Sequence, residues 1–104
     1  MKVYVAGKLS ETKIVNEVQK WFEQKGHIIT HDWTKNEGVT DGKVLKEEEK
    51  NLSRQKSAGL DIDGVKNCDL LFVLMLDSKY AYRGTFTEIG CALGLGKKII
   101  IVCP

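Results

Sequence analysis

The sequence predicts an α/β domain, a three-layer sandwich in which a four-stranded parallel sheet carries helices on both faces. Three observations carry that expectation. Apolar, β-rich runs alternate with segments of helical periodicity in the order β-α-β-α-β-α-β. The 104 residues contain no repeat and no linker, so they read as one domain spanning 1–104. Right-handed crossovers between parallel strands then favour the strand order 2-1-3-4.

Each element has its own signal. Lys-Val-Tyr-Val-Ala at Lys2–Ala6 alternates and forms the first strand, and Gly7-Lys8-Leu9-Ser10 is a tight turn. Ile14, Val15, Val18, Trp21 and Phe22 mark one face of a helix, with Ser10 as its N-cap and Gly26 as its stop. His-Ile-Ile-Thr-His at His27–His31 is the second strand, followed by a polar, glycine-containing stretch from Asp32 to Gly42. Lys43–Ser57 is helical by propensity but weakly amphipathic, with Val44, Leu45 and Leu52 its main apolar residues. Gly59 breaks or bends that helix, and a short one over Leu60–Asn67 buries Ile62 and Val65. Leu70–Leu76 is a buried third strand, Asp77–Tyr82 a polar loop, and Phe86, Ile89, Ala92 and Leu93 recur at helical spacing. Lys98–Val102 is the fourth strand. The sum is a flavodoxin-like or Rossmann-like sheet, in which ligands bind beyond the carboxyl ends of the strands at the switch point. In the order 2-1-3-4 that crevice lies between strands one and three, with Tyr4 to Ser10 on one wall and Asp77 to Glu88 on the other.

Composition excludes several classes. Hydrophobic residues make up 42% and charged residues 29%, ordinary for a soluble globular chain. The net charge of +2 comes from scattered lysines, which argues against a nucleic-acid partner, and the mixed-sign run Lys43–Lys50 reads as a solvated helix face. No run approaches a membrane span and no signal peptide precedes the first strand, so a cytoplasmic protein without membrane contact is expected. Cys68, Cys91 and Cys103 are odd in number and lack metal-ligand spacing, so they read as reduced packing residues, with no metal and no disulfide framework.

The chemistry-bearing residues gather around the crevice. Glu88 ends the pattern Thr85-Phe86-Thr87-Glu88, which fits a T-x-x-E capping box at the start of the helix. It equally fits a carboxylate offered to a ligand, since Gly84 and Gly90 would let one approach. Asp61, with Asp63 nearby, complements a helix start or faces Glu88 across the crevice. Two carboxylates on opposite sides of a sugar are what glycosidic cleavage needs. Lys8 and Arg83 flank the same edge, as solvated cations or as partners of a phosphate at a helix start; Gly7-Lys8 is not a Walker A loop. Tyr4, His31, Trp33, Tyr80 and Tyr82 fall at or after strand ends. Tyr4 suits the core, and Trp33 suits stacking on a base. Neither histidine has a local metal or nucleophile partner.

Several stretches together resemble the nucleoside 2-deoxyribosyltransferase family, including its relatives the 2′-deoxynucleoside 5′-monophosphate N-glycosidases. They are Val3-Tyr4-Val5-Ala6-Gly7, the acid eight residues before Asp69, the strand Leu70–Leu76, and Gly84-Thr85-Phe86-Thr87-Glu88-Ile89-Gly90-Cys91-Ala92 leading to Gly96-Lys97-Lys98-Ile99-Ile100. The resemblance covers most of the chain outside residues 32–57. It implies that Glu88 is the nucleophile that attacks C1′ of a deoxyribose and that Asp61 protonates the leaving base. It also implies that Tyr4 hydrogen-bonds near the nucleophile, that Gly7 lines the sugar or phosphate pocket, and that His31 stands where some phosphate-specific relatives carry a histidine. No cofactor is needed for such chemistry. The implied partner is a small nucleoside or nucleotide, and the implied assembly a homodimer or larger homo-oligomer, because neighbouring subunits of the family commonly complete the pocket. Two departures stand out: the family usually continues past the fourth strand, and the loop from Asp77 to Arg83 is longer than expected and carries two tyrosines.

Other classes fit the same fold. A module that binds a nucleotide without cleaving it, or a TIR-like domain that cleaves NAD with a glutamate, would keep these residues in other roles. A flavodoxin-like electron carrier lacks its Ser/Thr-rich phosphate loop here, and a receiver domain lacks its acidic pair after the first strand.

Overall fold

A computed structural model describes residues 1–35 and 58–104. The strands are β1 (Lys2–Ala6), β2 (Ile28–Ile29), β3 (Leu70–Leu74) and β4 (Lys98–Val102). The helices are α1 (Thr12–Gln24), α2 (described over 58–67) and α3 (Arg83–Gly94). The sheet is parallel throughout and ordered β2-β1-β3-β4, as the alternation and crossover handedness require.

Register assigns the two faces. Tyr4 pairs with Leu71 and Val5 with Phe72, and successive side chains alternate between faces. Phe22 of α1 meets Phe72 edge to face at 5.2 Å, so α1 covers the Val5 side. α2 covers the opposite side, where Gly64 lies against the Tyr4 ring. Val3, Val5, Leu71 and Val73 are wholly buried between these layers, with Val15 from α1 and Val65 from α2. Each such aliphatic side chain contributes on the order of 2 kcal/mol from burial. No helix among the described residues is long and apolar enough to cross a membrane.

Several boundaries differ from the sequence expectation, each for a physical reason. Ser10 does not cap α1: Leu9–Glu11 form a 3-10 turn, and Glu11 stands at the N-cap without a side-chain bond. The stop at Gly26 holds, with φ +87°. β2 is two residues long rather than five. Val3 O accepts from Thr30 N at 3.0 Å, and Val5 O, two residues on, points the same way beyond the end of β2. It is satisfied by Trp33 Nε1 at 2.7 Å, so a side chain replaces the missing ladder bond. Trp33 is 8% exposed and belongs to the core. β3 stops at Leu74, although Met75 N still donates to Val102 O at 2.9 Å. Gly59 lies inside a helical run that already includes residue 58, so it does not start a new helix at Leu60. The expected helix over Lys43–Ser57 lies outside the described residues.

The start of α3 carries the most consequential difference. The helix begins at Arg83, and its N-cap is Tyr82, a buried residue in the left-handed region at φ 50°, ψ 40°. A tyrosine there costs roughly 1–2 kcal/mol. Burial of its ring, its edge-on contact with Tyr80, and the Asp77 N–H donated to its hydroxyl at 3.0 Å offset that cost. Thr85 is therefore the third residue of the helix and not its cap, and Glu88 is the sixth, outside the first turn. The capping-box reading of Glu88 is overturned.

Candidate active site

With Glu88 one turn deeper, its side chain reaches the α2 side of the sheet rather than the helix end. The Tyr4 hydroxyl, projecting from β1, donates a hydrogen bond to its carboxylate. The other carboxylate oxygen, Oε2, is buried and has no hydrogen-bond partner among the described residues. Burial is the main reason the Glu88 carboxyl is pushed up to about 7; the Tyr4 hydrogen bond opposes the rise, and the negative charge of Asp61 adds to it. Tyr4 itself is driven well above the ordinary phenol range, first by burial and then by the charges of Glu88 and Asp61. It is therefore a fixed donor at any physiological pH.

Asp61 projects from α2 toward the same point. His31, just past β2, places Nε2 at 3.3 Å from Asp61 Oδ1. The structure thus gathers Tyr4, His31, Asp61 and Glu88 from four separate segments at the carboxyl edge of β1 and β3. A half-buried carboxyl raised above its ordinary range, beside a second carboxyl and a neutral donor, is the constellation expected of acid–base or nucleophilic work at a sugar carbon.

One member of this cluster was not singled out from the sequence. Gly64 lies one turn after Asp61, and a methyl built on it would meet His31 Cβ at 2.8 Å and the Tyr4 ring at 2.8 and 2.9 Å. Its carbonyl accepts from Thr30 Oγ1 at 2.7 Å. Its missing side chain lets α2 approach the sheet closely enough for Asp61 to join the cluster. The available signal was a glycine inside a helical pattern three residues after an acid. Gly64→Ala is expected to gain about 1 kcal/mol in helix propensity but lose about 2–3 kcal/mol by overpacking against a buried ring. The expected net loss of about 1–2 kcal/mol can be read from the urea unfolding midpoint.

The remaining candidates lie around this centre. A methyl on Gly7 would meet Val15 Cγ2 at 2.9 Å, so that glycine fits α1 closely against the end of β1. Gly84 and Gly90 are exposed, and a methyl on either would meet nothing within 4 Å, so neither allows a close approach within the chain. Thr85 is buried, Arg83 is exposed at the start of α3, and Asp63 is exposed on α2, two residues and more than half a turn away from Asp61. Lys8 is not an open cation: its Nζ lies 2.7 Å from Asp77 Oδ2 and 3.8 Å from Glu11 Oε1.

Comparison with known proteins bears on the family and the fold. The family model described as nucleoside 2-deoxyribosyltransferase matches residues 3–104. Among solved structures, a CMP N-glycosidase from Clostridium botulinum superposes with a TM-score of 0.62 at 25% identity, over 99% of this chain and 71% of that one. A 2-deoxyribosyltransferase from Leishmania mexicana superposes with a TM-score of 0.59 at 20% identity, over 98% of this chain and 63% of that one, and bears on the fold alone. No curated protein sequence matches the chain.

Proposed function

From the premise that this chain belongs to the nucleoside 2-deoxyribosyltransferase family, we propose that it cleaves or transfers at the N-glycosidic bond of a deoxynucleoside or its 5′-monophosphate. The observation that carries the reading is the buried Glu88 carboxyl, held by Tyr4 beside Asp61 with one oxygen unpartnered among the described residues. The relative described as a CMP N-glycosidase supports the same reaction class.

In this mechanism Glu88 attacks C1′ in its ionised form. The new bond is C1′–O, the bond broken is C1′–N, and its electron pair leaves with the base, which takes the one proton the two carboxyls share, carried on Asp61 in the form in which Glu88 is ionised. Water, or a second base, then attacks C1′ of the glycosyl ester and returns a proton to Asp61 as Glu88 is released. Burial makes Glu88 a reactive carboxylate, because its charge is poorly solvated. The Tyr4 hydrogen bond keeps part of the population ionised near pH 7. His31 is the group placed to exchange a proton with Asp61. Exposed Phe86, Leu93, Ile100 and Ile101 on α3 and β4 support assembly into a homodimer or larger homo-oligomer.

Tyr4→Phe removes the one interaction that lowers the Glu88 carboxyl. The acid limb of the pH profile of kcat/KM should therefore move to higher pH, and the rate at pH 7 should fall roughly tenfold. A profile of unchanged midpoint would separate Tyr4 from Glu88.

The functional reading is tested by chromatographic detection of free base after incubation with deoxynucleosides, their 5′-monophosphates and NAD. Release from a deoxynucleoside or its monophosphate supports it. Release from NAD alone would move the protein to NAD cleavage, and no release from folded protein would leave a nucleotide-binding module.

A further inference from the structure

The two walls of the crevice are tied together. Lys8, from the loop after β1, reaches Asp77, from the loop after β3, across the opening between them, at 2.7 Å. The acid is prepared for this contact by its own loop. Its Oδ1 accepts from Lys79 N at 3.0 Å, leaving Oδ2 for Lys8, and its backbone N–H is anchored on the Tyr82 hydroxyl. Tyr80 lies under the cation, with the ring centroid 5.1 Å from Nζ, and stacks edge to face on Tyr82 at 4.7 Å. Glu11 adds a second carboxylate at 3.8 Å. One ammonium thus faces two carboxylates and a ring. The hydrogen bond between them holds Lys8 above and Asp77 below their ordinary ranges, so both are charged at neutral pH.

We propose that Asp77 is a specificity-determining residue of this crevice: it occupies Lys8 in an ion pair that an anionic group on the ligand must displace. The inference rests on the functional reading above, since it concerns which ligands enter the same site. A neutral sugar leaves the Lys8–Asp77 strap in place. A phosphorylated one has to break it and then meets the freed carboxylate, so the lysine at the crevice is held in reserve by an acid at the end of the adjacent strand. Asp77 is a positioning residue, and its effect appears in the selectivity between phosphorylated and plain sugars rather than in the chemical step.

The test titrates orthophosphate, 2-deoxyribose and 2-deoxyribose 5-phosphate, followed by NMR shifts, into wild type, Asp77→Asn, and Asp77→Asn combined with Lys8→Met. Asparagine keeps an acceptor for the Lys79 amide, and Asp77→Ser is the second variant should asparagine disturb the loop. Asp77→Asn should bind the sugar phosphate about tenfold more tightly, which is what removing one unit charge ~6 Å from a dianion in water is worth. Binding of 2-deoxyribose should not change, and Lys8→Met should cancel the gain. An unchanged or lowered phosphate preference in both Asp77 variants, with the sugars still bound, overturns the proposal and leaves the functional reading standing. Tighter orthophosphate binding by Asp77→Asn with neither sugar bound supports the strap and overturns the functional reading. No gain for any probe overturns the proposal.

Discussion

Glu88→Gln is expected to lower kcat/KM for base release at pH 7 on the order of ten-thousand-fold, as loss of a nucleophile does, and at the same time to make the fold more stable in alkaline solution. The second effect follows from the direction of the shift. The carboxyl ionises at the ordinary 4.5 in the unfolded chain and at about 7 in the folded one. Between those values the folded state binds the extra proton, so stability falls as pH rises through that window. Well above pH 7 the whole cost, on the order of 3 kcal/mol, is present, and below pH ~4.5 it is nearly absent. Glutamine removes it. Urea unfolding of the two proteins at pH 8 should show the variant ahead by that amount, and at pH 4.5 the gap should close. A variant less stable at pH 8 would mean that the carboxylate has partners that stabilise its charge. The pairing of lost activity with gained stability distinguishes a functional buried acid from a structural one.

The second large effect is at Asp61. If it protonates the departing base, Asp61→Asn should slow release of an ordinary purine or pyrimidine by about 10²–10³-fold. The same variant should act nearly normally on a 7-methylpurine deoxynucleoside, whose cationic base leaves without being protonated. Comparing kcat for the two leaving groups gives the answer. An equal loss on both would make Asp61 a residue that positions Tyr4 and Glu88 and not the acid. The His31 contact at 3.3 Å is common to both outcomes, so the leaving-group dependence alone separates them.

What could be read from the sequence follows from how local the signals are. The order β2-β1-β3-β4 was legible because three long apolar runs and the helical patterns between them leave few right-handed arrangements. β1 and β4 begin and end where alternation and β-branched composition say they should. The start of α3 was not legible. Thr85 to Glu88 carries the letters of a capping box, but the turn is made at Tyr82, a bulky residue in a conformation that usually signals glycine or asparagine. Its compensation comes from Asp77 and Tyr80, contacts that no local pattern encodes. That three-residue displacement moves Glu88 from the helix end to the sheet, so the environment of the central residue depended on a loop anchor. The role of Gly64 was hidden similarly, because the Tyr4 ring and His31 that it accommodates come from segments about 60 and 33 residues earlier. Trp33 read as a candidate for stacking on a base, and the fold uses its indole N–H to satisfy Val5 O where β2 ends early.

The central claim is that Glu88 itself bonds to the sugar, and the stereochemistry of the product tests it most directly. Cleavage in dilute methanol forms a methyl glycoside that cannot interconvert its anomers, and proton NMR reads its configuration. Double displacement through Glu88 predicts net retention, the β-methyl 2-deoxyriboside from a β-deoxynucleoside. The α-anomer, the mark of a single displacement in which Glu88 only activates the attacking molecule, would contradict it.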